Sequence, residues 1–140
     1  KTVSLRTFQR SALRSAGETA GVVPVTIDLT SCTPGADVSV YFEKDQYVST
    51  EGRLKNTLTD GTEAENVDVE LLNTRFTPIN LAETPAVAAD GKVARLEAIP
   101  VAVAEQDGSA SLPFYARYYA TDAATAGKVA TYVNFTVVYP

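Results

Sequence analysis

Apolar residues recur at every second position in five separate stretches of this chain, a spacing that suits strands with one buried face rather than amphipathic helices. In the first, Val23, Val25, Ile27 and Leu29 share a face. Pro24 interrupts it and, lacking a backbone donor, is expected at a strand start or an unpaired edge position. Asp37 to Glu43 repeats the alternation with Val38, Val40 and Phe42 inward, and Asn66 to Leu72 repeats it with Val67, Val69 and Leu71. Leu112, Phe114, Ala116 and Tyr118 form the fourth stripe. The fifth and longest is expected from Val129 to Tyr139, with Val133, Phe135, Val137 and Tyr139 on one face.

Turn signals separate these stretches: Pro34-Gly35, Asp60-Gly61, Asp90-Gly91 and Asp107-Gly108. Asp-Gly suits turns that need a positive φ. Thr7 to Ala16 carries loosely spaced Phe8, Ala12 and Leu13 before Gly17, which predicts a short helix, a single turn or a 3₁₀ piece. Ala120 to Ala126 is rich in alanine, but Gly127 and the flanking strand patterns favour a loop. Many short strands with turns between them predict an all-β sandwich. The 140 residues suit a single domain, 1–140, with no internal repeat or linker.

Composition narrows the chemistry. The chain has no His, which removes the commonest general base and metal ligand and with them Ser-His-Asp and Cys-His sites. A single Cys rules out thiolate clusters and an internal disulfide. No phosphate-binding glycine loop or calcium-loop spacing is present. The acidic residues lie scattered through turns and outward strand positions, so no paired-carboxylate site, cofactor or metal is expected, and the chain is read as a non-enzyme. A net charge of -5 argues against nucleic acid as a partner. Charge is also uneven: Lys1, Arg6, Arg10 and Arg14 precede the first acid, and such a basic end on an acidic body suits either head-to-tail contact or a solvated face. No apolar run approaches the ~20 residues of a membrane-spanning helix. The start at Lys1, without a signal peptide, reads as a mature chain or a fragment.

Three features remain open on the residues alone. Asn134-Phe135-Thr136 matches a glycosylation sequon but falls inside a predicted strand, where chance explains it. Seven Tyr and five Phe suit either core packing, the better default, or a sugar platform in which Tyr47, Tyr115 or Tyr119 is exposed. Cys32 is either a small buried hydrophobe or half of a disulfide whose partner lies outside this sequence.

Residues Pro113 to Ala120, Ala123 to Gly127 and Tyr132 to Pro140 closely resemble the ending of chaperone–usher fimbrial subunits, the pilins, and in particular of major fimbrial subunits. That ending has a penultimate aromatic, here Tyr139, a glycine fourteenth from the end, here Gly127, and alternating apolar residues between them, here Val133, Phe135 and Val137. A second block agrees. Ala12-Leu13 and Ala20-Gly21 lead into Val25 to Cys32, which looks like the segment before the family's second cysteine. Residues 44–100 carry little of the resemblance.

The resemblance implies an incomplete immunoglobulin-like β-sandwich that lacks its final strand and is completed by a donor strand. Its implied work is that of a structural subunit of a bacterial surface fimbria, assembled by donor-strand exchange after periplasmic export. Implied partners are neighbouring fimbrial subunits, a periplasmic chaperone and an outer-membrane usher. Val133, Phe135, Val137, Tyr139 and Gly127 would then border the polymerisation groove. Tyr139 and Pro140 would contact the chaperone, and Cys32 would pair with an upstream cysteine. Lys1-Thr2-Val3-Ser4-Leu5 is expected to begin after both the family's donor extension and its first strand. The competing readings are a minor or tip adhesive pilin and an immunoglobulin-like carbohydrate-binding module.

Overall fold

The computed structural model describes residues 9–82 and 101–139. A 3₁₀ turn at Arg10–Ala12 precedes seven strands: β1 (Thr19–Leu29), β2 (Asp37–Phe42), β3 (Leu54–Lys55), β4 (Val67–Leu72), β5 (Val101–Ala102), β6 (Ala110–Ala120) and β7 (Phe135–Val138). They form two antiparallel sheets, one ordered β1-β6-β4-β3 and the other β5-β2-β7. The Asp90-Gly91 turn, Thr7-Phe8 and Pro140 lie outside the described residues.

Four of the five stripes meet in one core between the sheets. Val23 and Ile27 of β1, Val67, Val69 and Leu71 of β4, Leu112, Phe114, Ala116 and Tyr118 of β6, and Val40 and Phe42 of β2 are all buried in it. Phe42 and Phe114 join the two sheets edge to face, ring centroids 5.0 Å apart. Val25 and Leu29 pack against the same core from partly buried positions. Pro24 stands opposite Tyr115 on β1, the edge strand of its sheet, where a missing donor costs no ladder bond. A bulge between Ala20 and Val23 leaves Gly21, at φ +70°, and Val22 opposite Arg117.

Asp68 and Glu70 hold the outward strand positions expected of them, yet they are buried along with every other residue of β4. β4 runs between β3 and β6, and the basic side chains of Arg53 and Arg117 lie across its outer face. The strand expected from Val129 to Tyr139 is confined to Phe135–Val138. Its partner β2 ends at Phe42, one further bond from Glu43 N–H to the Asn134 carbonyl closes the ladder, and the preceding segment turns to Thr57 and Asn56 instead. Ala120 ends β6, and the expected loop follows it at 121–126, in which Ala124 N–H donates to the Leu13 carbonyl.

Candidate functional site

The terminal strand combines two observations that do not ordinarily go together. In the β2–β7 register Phe135 stands opposite Phe42 and Val137 opposite Val40, and directly paired residues point to the same side of a sheet. Phe135 and Val137 therefore face the core side. Yet Phe42 and Val40 are 4% and 0% exposed, while Phe135 and Val137 are 38% and 37% exposed. Among the described residues β7 pairs with β2 and with no other strand. The result is an apolar, core-facing stripe beside an unpaired sheet edge. Val133, just before the strand, packs against the core from a partly buried position.

Tyr139 continues the stripe and is 50% exposed. Its hydroxyl accepts a hydrogen bond of 3.1 Å from the Thr33 amide. That tethers the end of β7 to the loop that carries Cys32. The loop is itself held by the Cys32 N–H, which donates to the Gly108 carbonyl at 2.9 Å. Gly108 has a φ of +69°, and a Cβ there would stand 2.8 Å from the Cys32 carbonyl oxygen, so both its conformation and its neighbour require glycine. Cys32 is half-buried against a small cluster of Val38, Val103 and Ala110, and its thiol is free within this chain.

Gly127 lies where the loop before β7 meets the loop before β4. Ala64 N–H donates to the Lys128 carbonyl and Lys128 N–H to the Thr62 carbonyl, at 2.9 and 2.8 Å. The Asn56 side chain bridges both strands of this contact, donating to the Ala64 and Lys128 carbonyls and accepting from Ala130 N–H. A Cβ at Gly127 would press on the Ala64 nitrogen and stand 2.5 Å from the Glu63 carbonyl carbon. Gly127 has no positive φ, so close backbone approach within the chain is what requires it.

The three tyrosines considered for a sugar platform have their rings engaged. Tyr47 meets Tyr132 edge to face at 5.4 Å, Tyr115 lies against Phe76 at 4.4 Å with the rings 20° from parallel, and the Arg53 guanidinium covers Tyr119 at 3.8 Å. Over β4 the outer face of the four-stranded sheet carries ion pairs. Arg117 Nε and Nη2 both donate to Glu70 Oε1, at 2.8 and 2.6 Å. Arg53 Nε stands 3.6 Å from Asp68 Oδ2, an ion pair too long to be a hydrogen bond.

Burial pushes the Asp68 carboxyl above its ordinary 3.8, against the pull of the Arg53 guanidinium. Between the ordinary and the raised value the folded state binds more protons than the unfolded one, so stability falls as pH rises through this window. The charge penalty is absent below 3.8 and complete above the raised value. Asp68→Asn is expected to remove this slope. Urea unfolding across the acid range should show the variant gaining on the wild type as pH rises, and a constant difference would contradict it.

The fold is an immunoglobulin-like sandwich with an apolar stripe along one open edge, and sequence comparison supplies the family. The sequence model of FimA (Type-1 fimbrial protein, A) matches residues 5–140. The chain is 39% identical over 138 residues to the major fimbrial subunit SMF-1 of Stenotrophomonas maltophilia, covering 98% of this chain and 77% of that protein. It is 35% identical over 144 residues to the F17 fimbrial protein of Escherichia coli, covering 99% and 74%. Among solved structures, the P pilus rod subunit PapA shares the fold at a TM-score of 0.64 and 15% identity, over 100% of this chain and 92% of that one. The chain belongs to the type-1 fimbrial protein family. It is a structural, non-enzymatic fimbrial subunit.

Proposed function

We propose that this subunit polymerises by strand addition: an extended segment of a neighbouring subunit enters beside β7 and completes the sandwich. The carrying observation is the mismatch across the β2–β7 pairs, in which core-facing Phe135 and Val137 stay more than a third exposed opposite fully buried partners. Strand addition to a free sheet edge is an established mode of recognition, and donor-strand complementation of pilins by their chaperones is one of its known cases. A donor strand burying about four apolar side chains contributes roughly 6–12 kcal/mol, comparable to the ~5–15 kcal/mol stability of a whole domain. An unfilled subunit is then marginal and aggregation-prone. This is the physical reason for a periplasmic chaperone before assembly, an outer-membrane usher during it, and resistance to dissociation in the finished surface fimbria.

Tyr139 and Pro140 are the assigned chaperone contacts, with Tyr139 held in place through Thr33. Tyr139→Ser removes an aromatic contact worth ~1.5–3 kcal/mol and should lower chaperone affinity, read as co-purification, by about ten- to a hundredfold. Undiminished recovery would sink the assignment. Cys32 is assigned to a disulfide with a cysteine outside these 140 residues, since the chain contains no second one and export to an oxidising compartment favours the bond. Thiol labelling of the full-length subunit without reductant should fail, and ready labelling would contradict the pairing. The domain is read as residues 1–140.

A further inference from the structure

Tyr132 stands just before β7 on the side of the chain that the groove does not use. Burial alternates along this segment: Val129, Thr131 and Val133 are partly buried, while Ala130, Tyr132 and Asn134 are exposed. Tyr132 therefore points away from the core and is 48% exposed. It meets Tyr47 edge to face, which leaves much of its ring open to solvent. Tyr47 is fixed in turn by its backbone. Its N–H donates to Asp45 Oδ1 at 2.8 Å, and its carbonyl accepts from Lys55 N–H at 2.7 Å. Asp45 Oδ2 accepts no hydrogen bond among the described residues. Desolvation, and then the nearby Asp45 carboxylate, hold the Tyr132 phenol above its ordinary 10.0, so it stays a donor at neutral pH. Glu43 and Asn134 continue the same outward side. Glu43 N–H donates to the Asn134 carbonyl at 2.8 Å, one position beyond the inward-facing Phe42–Phe135 pair. Both residues are exposed, and Glu43 Oε1 accepts from Thr136 Oγ1 at 2.6 Å.

We propose that this face binds a neutral saccharide, with one sugar ring laid on Tyr132 and its hydroxyls bonded to Asp45, Glu43 and Asn134, so that the fimbria carries one weak glycan site per subunit. The chemistry selects that ligand. The C–H face of a sugar ring needs an open apolar surface, and its hydroxyls need acceptors at the edge of that surface. A tyrosine beside carboxylates offers both. Hydrogen bonds to an ionised carboxylate are roughly twice as strong as neutral ones. The same carboxylates repel sialylated, sulfated and phosphorylated groups, which leaves a neutral sugar. A protein partner fits less well, because the centre of a protein interface is depleted of Asp and Glu. The bonds from Tyr47 N–H to Asp45 and from Thr136 to Glu43 hold both carboxylates in place before a ligand arrives, which lowers the ordering cost of binding. A single shallow site binds weakly. A polymer repeats it, and linked sites raise avidity by ~10²–10⁴ without any new contact.

The inference rests on membership of a polymer and not on how its subunits are joined. Purified fimbriae on an array of neutral, sialylated and sulfated glycans test it. Wild-type fimbriae should retain neutral glycans. Fimbriae of Tyr132→Ala, matched to wild type in number and length by electron microscopy, should bind them about tenfold less or weaker still. Tyr132→Phe keeps the stacking face and should retain more binding than the Ala variant. Asp45→Asn keeps the Oδ1 acceptor for Tyr47 N–H and removes the charge. It should weaken binding severalfold at an unchanged melting temperature, and it carries the test if Tyr132→Ala assembles poorly. Wild-type fimbriae that retain no neutral glycan overturn the proposal. So does equal binding by wild type and Tyr132→Ala, which would place the site on another subunit, or, where Asp45→Asn carries the test, equal binding by wild type and that variant. Preference for sialylated or sulfated glycans overturns the neutral ligand. Capture of a deglycosylated protein in place of glycans, lost in Tyr132→Ala, would assign the face to a protein partner and overturn the sugar.

Discussion

Phe135→Asp is expected to leave the individual subunit folded and to abolish fimbriae. The two effects separate because Phe135 is already 38% exposed in the single chain, so a carboxylate there keeps access to water. Once a donor strand closes the edge, that carboxylate is buried without a partner, at a cost of several kcal/mol. Every 1.4 kcal/mol is about tenfold in an equilibrium constant, so assembly should fall by three orders of magnitude or more. Phe135→Leu, which preserves the apolar contact, should restore it. The measurement pairs circular dichroism of the subunit with electron microscopy of the cell surface. Fimbriae of normal length on cells expressing the Asp variant would show that Phe135 and Val137 do not face the site of polymerisation.

Gly127→Val should act at the opposite level, on the fold itself. The atoms that a side chain would meet are the backbone of Glu63 and Ala64, held in place by paired hydrogen bonds and by the Asn56 bridge. Relief requires moving one backbone from the other, which breaks several of these bonds at ~0.5–1.5 kcal/mol each, in addition to overpacking of ~1–3 kcal/mol. A loss of about 3 kcal/mol or more is expected, visible as a large drop in denaturant midpoint and in periplasmic yield. Ala64→Gly will not rescue it, since the obstructing atoms are not Ala64's side chain. A midpoint within error of the wild type would show that the two loops do not meet as described.

The two substitutions also divide what sequence reasoning reaches. The terminal pattern marks Gly127, Phe135, Val137 and Tyr139 without distinguishing their physical roles. For Gly127 the fold supplies a reason: its φ is not positive, and a side chain there would crowd the backbone of segment 63–64. The partner of the Tyr139 hydroxyl, the Thr33 amide, is 106 positions away in the chain. No local signal reaches that far.

What the sequence determined by itself was the pair of faces of each long strand. Period-two alternation is a property of the extended backbone, so Val38, Val40 and Phe42, or Leu112, Phe114, Ala116 and Tyr118, had to share a side wherever their strands went. Which neighbours each face would meet was decided in tertiary structure. Asp68 and Glu70 alternate like solvated residues and are buried, because β4 is flanked on both sides and two arginines cover it. β3 is two residues long, too short to show a period at all. Phe135 and Val137 alternate like core residues and are exposed, because burial needs a second wall as well as an inward direction. Alternation sets only the direction. The wall depends on how many strands pair beside β7, and that is a fact of assembly between distant segments.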